Sequence, residues 1–272
     1  KSVQIPMRKY YKNTILPYIT TKEYDYVFFI AAMTFSFSSE IVKDLREKQS
    51  KAKFVIYQWD GEKNLPFAKD IHQFFDSIYT FDRIDASENS IYKFFPLFYI
   101  RNYEEIGKET KNIFQYDLSY IGTAHPKKLY WINKMSDELK GVFQKQYVYH
   151  FLPSKLKYFY HKVRNKEYKS YNLRYFNYKK LSTHEIMQIF KDSKCILDAP
   201  QEGQNGLTIR TMECLGAKKK LITKNKDIIN YDFYCPENIL VFDENVNTND
   251  VFFKSDYKEI PEEIYQKYSL RE

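Results

Sequence analysis

The residues best suited to chemistry are concentrated in the segment 201–213, which reads QEGQNGLTIRTME. Gly203 and Gly206 permit a close approach of the backbone to a ligand, and Thr208 is of the type that caps a helix start. A helix that begins after such a turn directs its unpaired N–H groups and the positive end of its dipole at an anion. We therefore predict that Gly206, Leu207 and Thr208 bind the phosphates of a ligand.

Two charged residues follow in the same predicted helix, three positions apart. Arg210 lies in the first turn, where its guanidinium can bind the same anion through two hydrogen bonds. Glu213 lies one turn later, and because a phosphate repels a carboxylate, its natural partner is a pair of ligand hydroxyls such as those of a ribose. The alternative is an Arg210–Glu213 surface ion pair, which contributes only about 0.2–0.5 kcal/mol and does not explain the glycines before it.

Strand and helix patterns alternate along almost the whole chain. Apolar runs predict strands at residues 24–32, 53–59, 77–82, 93–100, 116–122, 146–152, 173–178, 195–199, 219–223 and 237–242. Helical spacing predicts helices at residues 38–49, 66–75, 127–140, 183–192, 208–216 and 226–231. One of them begins with a capping box, Ser182 with Glu185 three positions later. Such alternation is typical of parallel sheets covered by helices.

A charged stretch at residues 101–112 interrupts this alternation and is the predicted domain boundary. We predict an α/β protein with two Rossmann-like domains, residues 1–100 and 113–242, facing each other across a cleft. Ligands bind at the carboxyl ends of strands in such sheets, and pockets concentrate between domains. Residues 243–272 form a polar tail. The chain begins at Lys1 without a methionine, so we expect the first domain to lack its start.

The net charge of +8 is concentrated in one segment, residues 154–180. It contains nine lysines and arginines, one acid (Glu167) and six tyrosines, so the net charge of this segment is nine minus one, or +8. A basic and aromatic surface of this kind suits an anionic partner, either a membrane leaflet or a phosphorylated acceptor. The alternative is a solvated, partly mobile surface insertion.

Several classes of protein lack their signature in this chain. The three cysteines form no C-x-x-C pair and are odd in number, so neither a disulfide framework nor a zinc site is predicted, and a reducing cytosol is expected. No apolar run reaches the roughly 18 residues of a membrane span. The G-x-G-x-x-G fingerprint of nicotinamide enzymes and the G-x-S-x-G elbow of hydrolases are both absent.

Residues 206–223, GLTIRTMECLGAKKKLIT, resemble the donor-binding segment of GT-B glycosyltransferases. The likeness is greatest to the bacterial group that builds lipopolysaccharide and capsular polysaccharide and is related to CgeB-like proteins. Four more segments are similar to that group: YQWD at 57–60, FFDSIYTFDRIDA at 74–86, FPLFY at 95–99 and YDLSYIGTAHPKK at 116–128. The resemblance covers most of residues 24–242 and rests on the order of these segments.

The resemblance implies a metal-independent transferase of the hexosyltransferase type, with a nucleotide-sugar as co-substrate and no cofactor. The C-terminal domain would hold the donor, with Arg210 on the diphosphate and Glu213 on the ribose, and the N-terminal domain would hold the acceptor. No D-x-D triplet occurs, which argues against the metal-dependent GT-A class, so no metal site is predicted. Where many retaining members have a second glutamate the chain has Asn205, so no stereochemical outcome is predicted.

The resemblance also gives a role to the loop after the predicted strand 116–122. This loop carries five small, polar or basic residues: Gly122, Thr123, His125, Lys127 and Lys128. In GT-B enzymes the equivalent loop contacts the diphosphate, whose negative charge grows as it departs and is stabilised by fixed cations. We predict that Gly122, Thr123 and Lys127 bind the donor, and that His125 is catalytic as a donor of a proton or a hydrogen bond. The alternative is a solvated lysine pair at a helix start.

Asp60 follows the predicted strand 53–59, at a carboxyl strand end of the first domain. An inverting transferase needs a base to deprotonate the acceptor hydroxyl, and Asp60 is the predicted catalytic base. The alternative is a turn aspartate, which the Asp60–Gly61 dipeptide favours.

The predicted function is transfer of a sugar from a nucleotide-sugar to a hydroxyl of a bacterial cell-surface glycan, in lipopolysaccharide or capsule biosynthesis. We expect a cytoplasmic protein, at the inner face of the membrane if the basic segment contacts anionic lipid or a lipid-linked acceptor, and no nucleic-acid partner. Two other functions stay open. A non-catalytic nucleic-acid binder would use the basic Tyr-rich segment. A glycoside hydrolase needs two carboxylates at one bond, for which the chain offers Asp60 and Glu213.

Overall fold

The computed structural model describes residues 4–32, 37–65, 67–109, 113–200, 205–243 and 246–270. Contacts within the chain divide it into two units. Unit 1 runs to Pro96 and also includes residues 205–206, and unit 2 comprises the other described residues from Leu97 onward. The division falls shortly before the boundary predicted at residues 101–112.

Unit 1 is a parallel α/β layer in the residues that the structure describes. Its strands are β1 (Tyr26–Ala31), β2 (Lys53–Gln58), β3 (Ser77–Thr80) and β4 (Tyr92–Phe94). Its helices are α1 (Gln4–Tyr10), α2 (Leu16–Ile19), α3 (Ser39–Lys48), α4 (Ala68–His72) and α5 (Arg83–Glu88). The strands pair in the order β1-β2-β3-β4, all parallel. The near-continuous apolar sequence of β2 is mostly buried, as expected inside a parallel sheet.

Unit 2 repeats this layering with a larger sheet. Its described strands are β5 (Tyr116–Thr123), β6 (Gln146–Phe151), β7 (Ser193–Asp198), β8 (Lys220–Thr223) and β9 (Ile239–Val241). Its described helices are α6 (Arg101–Lys108), α7 (Pro126–Glu138), α8 (Lys155–Arg164), α9 (Thr183–Asp192), α10 (Ile209–Gly216), α11 (Val251–Lys254) and α12 (Glu262–Lys267). The strands pair in parallel in the order β6-β5-β7-β8-β9. The predicted α/β class with two parallel sheets is confirmed.

The charged stretch that interrupts the sequence pattern is a helix of unit 2. Residues 101–108 form α6, which buries Tyr103 and Ile106 and packs against α10 and α9. Only a narrow stripe of α6 is apolar, and its other faces carry charged residues. The low number of apolar residues in this stretch therefore led to the prediction of a domain boundary.

The predicted polar tail also belongs to unit 2. Two short helices, α11 and α12, form within it, and its end returns to the start of the unit. The amide of Leu270 donates to the carbonyl oxygen of Tyr99 at 2.8 Å, and the amide of Tyr99 donates to that of Tyr268 at 2.9 Å. The rings of Tyr99 and Tyr265 lie 5.0 Å apart.

One predicted strand, residues 173–178, does not form. It contains the 3₁₀ turn Leu173–Tyr175 and meets β6 through a single bridge between Phe151 and Asn177. Its aromatic side chains are used in a separate core under the basic segment 154–180. Six buried residues form this core: Ala124, Leu129, Leu152, Tyr158, Tyr168 and Phe176. The basic segment is therefore folded around its own aromatic residues.

A buried histidine should make the stability of unit 2 depend on pH. His150 on β6 is almost fully buried, and its Nε2 lies 2.8 Å from Oδ1 of Asn133. Burial lowers the pKa of His150 to about 3. The unfolded chain therefore binds the proton first, and stability is lost as the pH falls from about 6.5 toward 3. Between about pH 6 and pH 4, we expect the wild type to lose about 2 kcal/mol more than His150→Gln in urea unfolding.

The matched control for this prediction is His184→Gln, because His184 is exposed in α9. It should keep the pH dependence of the wild type. An equal loss of stability in wild type and His150→Gln would contradict the prediction.

Candidate functional site

The sheet of unit 2 reverses its winding direction between β5 and β7. The first strand of the unit, β5, pairs with β6 on one side and with β7 on the other, and the chain continues outward to β8 and β9. Ligands bind outside the carboxyl ends of strands at such a reversal in open α/β sheets. The two strands end at Thr123 and Asp198. The two segments predicted to bind the donor lie at or after these strand ends, so the fold of unit 2 brings Thr123 and Thr208 to one edge of its sheet.

Asp198 lies at this edge but is not among the site residues predicted from the sequence. It is 1% exposed, and Nζ of Lys128 lies 3.2 Å from its Oδ1. The hydroxyl of Thr208 donates to its Oδ2 at 2.5 Å. One carboxylate thus joins the end of β7 to the first turn of α7 and to the start of α10. The only sequence signal is its position, as an acid directly after a buried apolar run.

The predicted cap of α10 is confirmed. Thr208 has extended backbone angles, and its Oγ1 accepts from the amide of Thr211 at 3.4 Å. Because the same hydroxyl donates to Asp198, its orientation is set from both sides. The N-terminus of α10 is therefore held in place at the carboxyl edge of the sheet. A helix N-terminus in this position has the geometry of an anion-binding site.

Arg210 and Glu213 form a mostly buried pair instead of a surface pair. Nη1 of Arg210 lies 2.6 Å from Oε2 of Glu213, and each side chain is 16% exposed. Tyr103 on α6 donates to Oε1 of Glu213 at 2.7 Å. The guanidinium stacks over the ring of Phe190 on α9 at 4.8 Å and donates to the carbonyl oxygen of Ile121 at 3.3 Å. The pair therefore links α10 to α6, α9 and the end of β5.

This environment shifts the ionisation of both partners of Glu213. Burial is the largest single influence on the pKa of Arg210 and acts to lower it, but the surrounding groups, Glu213 first among them, together keep that pKa above its ordinary value. Burial, and next the charge of Glu213, raises the pKa of Tyr103. Both groups stay protonated, so Tyr103 keeps donating to the carboxylate and Arg210 keeps its ion pair with it. The predicted roles of Arg210 on a diphosphate and Glu213 on a ribose stay predictions.

The amide of Gly206 is used within unit 1. It donates to Oδ2 of Asp82 at 2.8 Å, and this buried carboxylate also accepts from two amides at the start of α5, at 3.0 and 3.3 Å. A Cβ at Gly206 would lie 2.5 Å from the ring of Phe81, so the backbone approach is close. Leu207 is buried, and Gly203 lies outside the described residues. Phosphate binding by Gly206 and Leu207 stays a prediction.

Gly122 lies at the end of β5 beside a buried hydroxyl. A Cβ at this position would overlap the hydroxyl of Tyr120, which explains the glycine. That hydroxyl is buried and has no hydrogen-bond partner among the described residues. Burial, and next the charge of Asp198, raises the pKa of Tyr120, so the group stays protonated. Thr123, the last residue of β5, is exposed at the same edge.

His125 and Lys127 lie at the start of α7. His125 is the N-cap position, but its side chain makes no capping hydrogen bond. The side chain of His125 is exposed, but desolvation by its neighbours, and then the charges of Lys128 and Lys157, lowers its pKa, so the imidazole is neutral near pH 7. Lys127 is exposed in the first turn. The structure thus places both at the predicted edge, and their roles stay predictions.

Asp60 lies in unit 1, two residues after β2 ends at Gln58. It is half-buried, next to the exposed Trp59, and Gly61 after it opens a 3₁₀ turn. Its position at a carboxyl strand end is as predicted, and its role as a base stays a prediction.

Within the described part of the chain, no group of three or more His, Cys, Asp or Glu side chains is arranged to hold a metal ion. Among the same residues, no helix combines the length and apolar character needed to cross a membrane.

No protein-family model matches the chain, and no curated protein matches it. One solved structure of similar fold is an alpha-glucosyltransferase in complex with UDP and a 13-mer DNA containing a central A:G mismatch. It is 14% identical to this chain, with a TM-score of 0.51, and the match covers 79% of this chain and 61% of that one. Alr3699/HepE of Anabaena in complex with UDP-glucose is 10% identical, with a TM-score of 0.49, over 77% and 62%. The glycosylation-associated Gap123 complex from Streptococcus agalactiae is 10% identical, with a TM-score of 0.46, over 84% and 47%.

The chain therefore spans between 47% and 62% of the length of these structures. At such low identity the likeness is one of fold. The two parallel sheets, of four and five strands, are those of GT-B glycosyltransferase structures, as the sequence resemblance implied.

Proposed function

We propose that the chain is a glycosyltransferase that moves a sugar from a nucleotide-sugar donor to a hydroxyl of a glycan acceptor. The observation that carries the proposal is the β5–β7 reversal, where the start of α10 and the Asp198–Lys128 pair meet at one edge of the sheet. Nucleotides bind at such edges, with phosphates at a helix N-terminus. The alpha-glucosyltransferase of similar fold is in complex with UDP, which supports a nucleoside diphosphate as the ligand.

In this proposal the amides and dipole of α10 bind the diphosphate. The charge of Lys128 is already balanced by Asp198, so this lysine serves to position Thr208. The proposed cation for the departing diphosphate is Lys127, which is exposed in the first turn of α7. Fixed positive groups stabilise the charge that develops on a leaving group.

Glu213 is the proposed contact to the ribose. Its two oxygens face Tyr103 and Arg210, yet a carboxylate has about four acceptor positions. Because Oε2 is buried, Oε1 is the proposed acceptor of the ribose hydroxyls, beside its contact with Tyr103. Its neighbours hold the carboxylate in one orientation before the donor arrives, which lowers the ordering cost of binding.

The acceptor is proposed to bind through unit 1, with Asp60 as the base that deprotonates its hydroxyl and His125 assisting the leaving group. Protein cations and amides take the place of a metal in this scheme. The resemblance of residues 24–242 supports a finer proposal, a bacterial enzyme of the CgeB-like group acting in lipopolysaccharide or capsule biosynthesis from the cytoplasmic side of the membrane.

Thermal unfolding against a panel of nucleoside diphosphates and sugar-nucleotides tests the proposal. A true ligand at 100 times its dissociation constant should stabilise the protein by about 2.7 kcal/mol. The same ligand should give a much smaller shift with Glu213→Gln, which keeps the shape of the side chain but loses its charge. Each shift is measured against the same variant without ligand, so a less stable variant is still informative.

Glu263→Gln is the matched control, because Glu263 is an exposed glutamate of α12 in the same unit. It should respond to the ligand as the wild type does. If no member of the panel stabilises the wild type at millimolar concentration, the transferase proposal is wrong. If a ligand stabilises wild type and Glu213→Gln equally, the ribose role of Glu213 is wrong.

A further inference from the structure

Helix α8 presents an apolar stripe to solvent. Leu156 is 82% exposed and Val163 is 83% exposed, and Phe159 and Tyr160 between them are about half exposed. The four residues occupy positions i, i+3, i+4 and i+7, so they lie on one face of the helix. Soluble proteins rarely expose a contiguous apolar face without a partner for it.

The opposite face of α8 is anchored, so the stripe cannot turn inward. Tyr158 is buried in the aromatic core of the basic segment, and its hydroxyl donates to the carbonyl oxygen of Tyr171 at 3.0 Å. Lys162, one turn later, donates from Nζ to the carbonyl oxygens of Tyr168, Lys169 and Tyr171 at 3.2, 2.6 and 2.8 Å. These contacts fix the rotation of α8 about its own axis.

Cations border the stripe on both sides. At 100° per residue, Lys155 lies on one side of the stripe, and Lys157 and Arg164 lie on the other. Arg164 donates from Nη1 to the hydroxyl of Tyr160 at 2.7 Å, and Nζ of Lys157 lies 5.1 Å from the centre of the same ring. No acid occurs within α8. The outward surface is thus an apolar strip between two positive edges.

We propose that α8 lies in the plane of an anionic membrane surface, with Leu156, Phe159 and Val163 among the acyl chains and the flanking cations at the headgroups. An interfacial helix has this pattern of one apolar face bordered by Lys and Arg. Each basic residue near an anionic leaflet adds to the attraction. A nucleic acid fits less well, because its bases stack on flat aromatic rings, whereas the two most exposed residues are aliphatic.

The proposal goes beyond transferase activity, because it requires only α8 and its anchors. It also has a consequence for the candidate site. The hydroxyl of the buried Tyr168 donates to the carbonyl oxygen of Ala124, in the loop between β5 and α7. The core that anchors α8 therefore also holds this loop. Docking of α8 brings the loop close to the membrane surface, where a lipid-linked acceptor would lie.

Vesicle co-sedimentation of the purified full chain tests the proposal. The wild type should bind vesicles of phosphatidylcholine with 30% phosphatidylglycerol about tenfold or more tightly than vesicles of phosphatidylcholine alone. The triple variant Leu156→Gln, Phe159→Gln, Val163→Gln should lose about tenfold or more of the affinity for the anionic vesicles. Equal binding to both vesicle types, or undiminished binding of the triple variant, would overturn the proposal.

Matched controls distinguish binding through α8 from nonspecific hydrophobic adsorption and from an effect of net charge. The double variant Ile113→Gln, Ile229→Gln removes two exposed aliphatic residues elsewhere in unit 2 and should bind as the wild type does. Lys155→Glu with Lys157→Glu should weaken binding, whereas Lys9→Glu with Lys12→Glu, the same change of charge on exposed lysines of unit 1, should not. Equal losses for the two lysine pairs would overturn a role specific to α8.

A tryptophan variant that gains a fluorescence signal on binding tests the proposal even if the triple variant fails to fold. The emission of Leu156→Trp should shift to the blue with anionic vesicles and be quenched by brominated lipid, whereas that of Ile229→Trp should not change. If Leu156→Trp does not respond, or if the wild type binds a single-stranded oligonucleotide through Leu156 and Val163 and ignores the vesicles, the membrane proposal is wrong.

Discussion

Replacing Asp198 by alanine should destabilise the protein by about 3–5 kcal/mol. The variant leaves Lys128, whose side chain is only 16% exposed, without the carboxylate that lies 3.2 Å from its Nζ. It also removes the acceptor of the Thr208 hydroxyl, so the cap of α10 loses one of its two contacts. A buried charge without a partner is far more costly than the loss of the pair as a whole. Urea unfolding followed by circular dichroism measures the change.

The pair between Lys140 and Asp137 is the matched control. It joins the same two residue types at 2.5 Å, but its side chains are 68% and 66% exposed. Asp137→Ala should therefore change the stability by less than about 1 kcal/mol. Adding Lys128→Met to Asp198→Ala should recover much of the loss, because the unpaired charge is gone. Equal losses of stability in Asp198→Ala and Asp137→Ala would show that burial does not determine how much the Asp198–Lys128 pair contributes to stability.

Replacing Gly107 by alanine should cost about 3 kcal/mol. An added Cβ would overlap the carbonyl oxygen of Gly216, at the last residue of α10. That oxygen also accepts from the hydroxyl of Tyr265 at 2.6 Å, so it is held in place. Relief requires a shift of α10 away from α6. Because α10 begins at the candidate site, we also expect weaker binding of any nucleotide ligand found in the thermal unfolding panel.

Gly141→Ala is the control for this prediction. A Cβ at Gly141 meets nothing within 4 Å among the described residues, so the same chemical change should alter stability by less than about 0.5 kcal/mol. A similar loss in both variants would mean that the effect comes from the backbone preference of glycine and not from the contact between α6 and α10.

The sequence predicted the elements of this fold well where local patterns are strong. The capping box of Ser182 and Glu185 begins α9 as predicted, and Thr208 caps α10. Such signals depend on residues three or four positions apart, which the chain alone specifies. The predictions were wrong for residues 173–178, where an apolar run serves a small aromatic core instead of the sheet. Composition does not tell these two uses of an apolar run apart.

In the candidate site, too, local features follow from the sequence and long-range contacts do not. The chain by itself determined that a capped helix with Arg210 and Glu213 follows a buried strand, because spacing and residue type express local geometry. The tertiary structure alone decided the partners of these charges. Asp198 meets Lys128 from 70 positions away, and Glu213 meets Tyr103 from 110 positions away. Contacts at such separations arise from how helices pack on a parallel sheet, and the sheet order that brings β5 beside β7 is a property of the whole folded unit.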